Sequence, residues 1–188
     1  MRKIFLIMML CISISMYAQL KDNCRAVQLT CEHLVNPIGI DVAHPRLNWR
    51  LDDQRQGALQ QAYQILVGED SIALGKGQKT IWDSGKQLSS AMLIPYSGKK
   101  LKPRTKYFWK VNVWDMACHD STSAIASFET GMHEAAFWNG KWINDGKDIE
   151  ESQARSCRRV FKTIKKRKSA RAYIAGSGLY DLSIIAQR

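Results

Sequence analysis

Apolar and polar side chains alternate over much of the chain between residues 27 and 128. The clearest run is Tyr107, Trp109, Val111 and Val113, where every second residue is large and apolar. Such alternation is typical of a β-strand with one buried face. Shorter runs of the same kind follow one another with turn residues between them. The predicted strands are Val27–Cys31, Leu47–Leu51, Tyr63–Val67, Ile81–Trp82, Met92–Tyr96, Tyr107–Val113 and Ile125–Phe128.

Seven short strands joined by turns indicate an all-β fold, a seven-stranded sandwich of the immunoglobulin or fibronectin type III kind. No sustained helical period occurs outside the N-terminus. Alternation returns from Arg158, at Val160, and continues through Ile174 to Ile184. We expect this last segment to form the first strands of a second, incomplete β-sandwich domain.

Three aromatic residues are predicted to be structural. Trp49 lies between polar neighbours, and Trp109 alternates with Tyr107 and Val111, so both should point into the core. Tyr107 follows a turn at Pro103, as in a tyrosine corner, in which the hydroxyl bonds to backbone a few residues upstream.

The first eighteen residues have the composition of a secretory signal peptide. Arg2 and Lys3 precede an apolar run over 4–16, and Ala18 offers a small residue for cleavage. The run is short for a transmembrane helix. A lipid anchor at Cys11 is disfavoured, because this cysteine lies inside the apolar run after Leu10. We therefore expect an exported protein, periplasmic or extracellular, with no transmembrane segment.

The predicted organisation has four parts: a signal peptide over 1–18, a fibronectin type III-like sandwich over 19–131, a linker with aromatic anchors over 132–154, and the truncated second domain over 155–188. The net charge of the whole chain is +11. Nine basic residues and no acidic ones lie between Arg155 and Arg171. The positive net charge therefore comes from one segment, which argues against nucleic acid as a partner. Anionic polysaccharide and membrane headgroups are still possible partners of this segment.

Side chains with catalytic or metal-binding chemistry do not cluster in the sequence. The four histidines are scattered, and Cys24, Cys31, Cys118 and Cys157 have no metal-binding spacing, so no metal or cofactor is expected. The disulfide state of these cysteines is open, since four cysteines allow three pairings. The remaining candidates for catalysis or sugar binding have ordinary explanations. The carboxylates of Asp148, Glu150 and Glu151 are expected to be solvated in the linker, and those of Asp83 and Asp115 to form turn hydrogen bonds. Packing, rather than stacking on a sugar, is expected for Trp82, Trp109, Trp114, Trp138 and Trp142.

A series of motifs resembles the N-terminal region of bacterial α-L-rhamnosidases, of the Bacteroidetes type. In chain order the matching segments are 36–41 (NPIGID), 45–49 (PRLNW), 61–65 (QAYQI), 82–86 (WDSGK), 107–111 (YFWKV), 113–115 (VWD), 128–131 (FETG), 142–143 (WI) and 170–176 (ARAYIAG). The resemblance covers essentially the whole chain after the signal peptide. It departs at 183–188, where the family continues with a strand that bears an Asn-Gly turn.

The resemblance implies a role as well as a fold. Family members hydrolyse terminal rhamnose with inversion in an (α/α)-barrel, which this chain does not contain, so no catalytic residue is assigned and substrate-binding residues are unknown. The expected function is a non-catalytic accessory module of a secreted glycoside hydrolase. Its partners would be the catalytic and other β-domains of that enzyme, with a rhamnose-containing glycan as a further candidate. The alternative is a stand-alone exported β-sandwich that binds a glycan or a protein.

Overall fold

The computed structural model describes residues 24–116, 119–143, 157–160, 170–176 and 181–184. The chain divides into two compact units, residues 1–140 and 141–188. All helices and strands of the described residues lie in the first unit. In chain order the strands are β1 (Arg25–Cys31), β2 (Ile38–Ile40), β3 (Arg46–Asp52), β4 (Gln60–Gly68), β5 (Thr80–Asp83), β6 (Gln87–Leu88), β7 (Leu93–Pro95), β8 (Lys106–Asp115), β9 (Asp120–Thr122) and β10 (Ala126–Thr130).

Two sheets form the first unit. One has the order β1-β3-β7 and is antiparallel. The other has the order β2-β10-β8-β4-β5, with β6 added beside β4 and β9 beside β8. Its pairs are antiparallel except β2 with β10, which is parallel. This two-sheet architecture confirms the predicted all-β, immunoglobulin-like fold.

The core lies between the sheets, where alternate residues of the long central strands point inward. In β8 the alternation places Tyr107, Trp109, Val111 and Val113 in the core, each at most 1% exposed. The residue opposite Tyr107 on β10 is Phe128, and their rings lie 5.4 Å apart. Burial of each large apolar side chain contributes roughly 1.5–3 kcal/mol. The period-two pattern of β8 therefore supplies four large side chains to the sandwich core.

Each of the seven strands predicted for the sandwich overlaps an observed strand, but five short elements were not predicted, one of them a single 3-10 turn at Ala135–Phe137. Three are β2, β6 and β9, of two or three residues each. The remaining one is the helix α1 (Ser71–Gly75), whose first turn is capped by Asp70. The Asp70 Oδ1 accepts from the backbone N–H of Ile72 at 2.8 Å and of Ala73 at 3.2 Å. Elements this short carry too few residues to show a hydrophobic period.

The described residues of the second unit lie outside helices and strands. Four apolar side chains of this unit are exposed: Val160 at 72%, Ile174 at 41%, Leu182 at 50% and Ile184 at 71%. The predicted signal peptide, the acidic part of the linker and the basic run at Lys165 to Lys168 lie outside the described residues. The predicted domain boundaries stay predictions.

Candidate functional site

A tyrosine corner fixes the turn that precedes β8. The Tyr107 hydroxyl accepts a hydrogen bond from the backbone N–H of Lys102 at 2.8 Å, five residues upstream, as the sequence predicted. The Thr130 hydroxyl donates to the Lys102 carbonyl at 2.6 Å and accepts from the Thr105 N–H at 3.0 Å. The turn is therefore bonded both to the start of β8 and to the end of β10.

Trp49 joins the other sheet to the core through a polar contact as well as through packing. Its indole Nε1–H donates to the side-chain oxygen of Gln60 at 2.9 Å, and Trp49 is 1% exposed. The Gln60 amide nitrogen donates in turn to the carbonyls of Ser89 and Ala91, at 3.0 Å each. A buried polar group costs stability unless it is hydrogen-bonded, and here every partner is in place.

Two almost fully buried carboxylates are joined by one arginine at the end of the sandwich where β8 and β9 meet. Arg55 Nη2 lies 2.6 Å from an oxygen of Asp53 and 2.6 Å from an oxygen of Asp115. The carboxylate side chains are 4% and 3% exposed, and that of the arginine 33%. We call these three residues the arginine clasp. It connects the loop after β3 to the last residue of β8.

Both carboxylates of the clasp are held in the ionised form. The hydrogen bonds from Arg55 lower the pKa of Asp53 to about 2. Burial raises the pKa of Asp115, but the hydrogen bonds from Arg55 and from the backbone N–H of His119 outweigh it, so the net shift is downward. The same contacts raise the pKa of Arg55. A carboxylate with a lowered pKa is a poor general acid, and the clasp is built for stability rather than for proton transfer.

The other acidic candidates give no catalytic pair within the described residues. Asp83 Oδ1 accepts from the backbone N–H of Gly85 at 2.8 Å, the turn contact that was predicted. Asp115 makes a similar turn contact with His119, but its ion pair with Arg55 was not predicted. Asp148, Glu150 and Glu151 lie outside the described residues. Among the described His, Cys, Asp and Glu side chains, no group could hold a metal ion.

Three of the cysteines lie in the described part of the chain. Cys24 and Cys31 are buried, Cys157 is exposed, and none of the three forms a disulfide there. Burial raises the pKa of the Cys31 thiol to about 12, which makes it unreactive. Cys118 lies outside the described residues.

The tryptophans named as candidates for sugar stacking lie in three different environments. Trp109 is fully buried, and Trp82 is half-buried with its ring 5.0 Å from that of Tyr96, in an edge-to-face contact. Trp138 and Trp142 follow the sandwich and are 37% and 78% exposed. Trp114 lies on the outer face of its sheet, half-buried, with the Lys86 ammonium 4.3 Å from its ring centroid.

A row of polar side chains crosses the same outer face beside Trp114. Gln64 Nε2 donates to Asp83 Oδ1 at 2.8 Å, and Gln64 Oε1 accepts from Asn112 Nδ2 at 3.1 Å. Asn112 Oδ1 accepts from the Thr122 hydroxyl at 2.8 Å. We call these four residues the outer polar row. It runs across β5, β4, β8 and β9, and its hydrogen bonds fix the orientation of both amides. The sequence pattern does not reveal this row, because its members lie far apart in the chain.

The fold and these contacts define an immunoglobulin-like β-sandwich domain. The part of the chain described by the structure contains no helix long and apolar enough to cross a membrane. Residues 26–134 match the family model of the Rha78A-like N-terminal immunoglobulin domain. The chain belongs to this family.

Relatives and solved structures agree with this assignment. An α-L-rhamnosidase of Streptomyces avermitilis is 42% identical over 130 residues, which is 68% of this chain and 12% of the relative. One from Formosa agariphila is 32% identical over 164 residues, 81% of this chain and 18% of the relative. The structure of α-L-rhamnosidase from Dictyoglumus thermophilum superposes with a TM-score of 0.62 at 36% identity, covering 64% of this chain and 14% of that one. The chain spans less than a fifth of the length of these proteins.

Proposed function

We propose that this chain is the non-catalytic N-terminal accessory module of an exported glycoside hydrolase of the α-L-rhamnosidase type. The full-length enzyme would hydrolyse terminal α-L-rhamnose from glycans or glycosides. The observation that carries the proposal is the family match over residues 26–134, together with relatives that are all α-L-rhamnosidases and extend far beyond the matched region.

The chemistry of the described residues supports a non-catalytic role. Inverting hydrolysis of a glycoside needs an acid and a base carboxyl group ~6.5–9.5 Å apart, with a water between the base and the sugar. The buried carboxylates of the sandwich, Asp53 and Asp115, are instead bound to the same arginine nitrogen. Their lowered pKa values deny either of them the role of general acid.

The contacts where the chain leaves the sandwich support a structural role. The Gly131 N–H donates to the Ile40 carbonyl at 2.8 Å, and the His133 N–H donates to Asp41 Oδ1 at 3.2 Å. Lys100 and Glu134 form an ion pair at 2.9 Å. These bonds fix the direction of the chain just after β10. A module that orients the domains after it needs a fixed chain direction at this point.

Export is part of the proposal. The basic start, the apolar run over 4–16 and Ala18 support a cleaved signal peptide over 1–18 and a periplasmic or extracellular protein. N-terminal sequencing of the protein purified from its native host would locate the mature terminus. A mature protein that still begins at Met1 would contradict this part.

Two measurements test the main proposal. The purified chain should not release p-nitrophenol from p-nitrophenyl α-L-rhamnoside, whereas a product of the same gene extended in frame into a helical barrel should. Turnover by the chain alone, proportional to its concentration and lost on unfolding, would show that it is itself an enzyme. An open reading frame without any downstream barrel would favour the alternative, a stand-alone binding module.

A further inference from the structure

The outer face of the larger sheet combines an apolar row with the outer polar row. By strand register, Leu88 on β6 and Trp114 on β8 both pair with Ala62 on β4, so the three side chains share the outer face. Ala62 is 1% exposed beneath its two larger neighbours, while Leu88 is 80% exposed. An aromatic ring and an aliphatic side chain therefore lie side by side at the surface.

The two rows lie one strand repeat apart. Gln64 and Asn112 are each two residues from Ala62 and Trp114, a displacement of about 6.5–7 Å along the strands. A pyranose ring has an apolar C–H face and hydroxyls at its edge. A sugar stacked on the Trp114 ring would reach the amides of Gln64 and Asn112 with its hydroxyls.

The outer polar row keeps hydrogen-bonding capacity that faces outward. Each amide uses one of its two N–H groups and one of its two lone pairs within the row, and Asp83 Oδ2 has no partner among the described residues. The bonds along the row hold these amides in one orientation, so a ligand would meet donors and acceptors already placed. Side chains that pair with one another and still have free donors and acceptors suit the vicinal hydroxyls of a sugar.

We propose that this face is a glycan-binding surface that takes a neutral pyranose ring, stacked on Trp114 and hydrogen-bonded to Gln64 and Asn112. The inference rests on the proposed function only for the choice of rhamnose as the first probe. The Lys86 ammonium now lies over the Trp114 ring, on an exposed and flexible side chain. A stacking sugar displaces it sideways, where the ammonium can donate to a hydroxyl.

The test is a titration of the full ¹⁵N-labelled chain with methyl α-L-rhamnopyranoside and, separately, with methyl β-D-glucopyranoside, followed by ¹H–¹⁵N NMR. Signals of the Trp114 indole N–H and of the Gln64 and Asn112 side-chain amides should shift with at least one of the two sugars. Trp114→Ala should weaken the binding by about tenfold or more. The matched control is Trp142→Ala, which removes the most exposed tryptophan of the described residues and should leave the affinity unchanged.

Asn112→Ala provides a second variant at the surface of the sheet, in case Trp114→Ala does not fold as judged by its NMR spectrum. It should weaken binding without loss of structure. Shifts confined to Trp138 or Trp142, or no shift with either sugar, would overturn the proposal. Binding of the glucoside alone would support the surface while arguing against rhamnose as its ligand. If the gene encodes no downstream barrel, the proposed function is wrong, but the result of the sugar titration still stands.

Discussion

Trp49→Ala tests whether the two sheets are joined as the contacts indicate. The Trp49 side chain is 1% exposed and packs against Tyr63 with ring centroids 5.5 Å apart. Its indole N–H is also the donor to the buried Gln60 oxygen. The substitution removes a large core side chain and leaves that oxygen without its partner.

The magnitude follows from these two losses. Truncation of a buried tryptophan to alanine costs ~3–5 kcal/mol, and a buried acceptor left unsatisfied costs ~1–3 kcal/mol. The sum is about 4–8 kcal/mol. Because small domains are stable by only ~5–15 kcal/mol, we expect the variant to be largely unfolded at ordinary temperature or to unfold at a much lower urea concentration.

The assay is urea denaturation followed by far-UV circular dichroism. Trp49→Phe, which keeps most of the packing but loses the hydrogen bond, should fall between Trp49→Ala and the unmodified chain. Trp142→Ala is the control, since that side chain is 78% exposed and surface changes usually stay within ~0.5 kcal/mol. Equal urea midpoints for Trp49→Ala and Trp142→Ala would refute the placement of Trp49 in the core.

Two further predictions concern a glycine and the arginine clasp. A Cβ added at Gly98 would lie 2.6 Å from Trp82 Cβ and 2.6 Å from Tyr96 Cζ, so Gly98→Ala should clearly lower the melting temperature. Gly140→Ala is the control and should leave the melting temperature unchanged, because no atom lies within 4 Å of the added carbon. Equal melting temperatures for the two variants would contradict the packing around Gly98. In the folded chain the pKa of Asp53 is about 2, below the usual value near 3.9, so its contribution is complete above about pH 4 and is lost as the pH falls towards 2. Arg55→Gln should therefore lower the urea midpoint at pH 7 and progressively less towards pH 2, and a deficit that does not depend on pH would show that the ion pairs are not its cause.

The sequence alone determined the fold class and the main strands. A strand with one buried face needs an apolar residue at every second position, so Tyr107 to Val113 could be read directly as β8. The tyrosine corner was predictable for a similar reason, because its donor lies only five residues from the hydroxyl. The family could be recognised because its motifs occur in one order along the chain, within strands (61–65 and 107–111) as well as at turns (82–86).

Contacts between residues far apart in the chain were decided only by the tertiary structure. Arg55 and Asp115 are sixty residues apart, and the packing of the two sheets brings the loop after β3 next to the end of β8. The outer polar row likewise combines residues from four strands, each unremarkable in its own segment. Local pattern fixes which face of a strand a side chain occupies, whereas sheet order and register decide its neighbours, and register depends on the packing of the whole core.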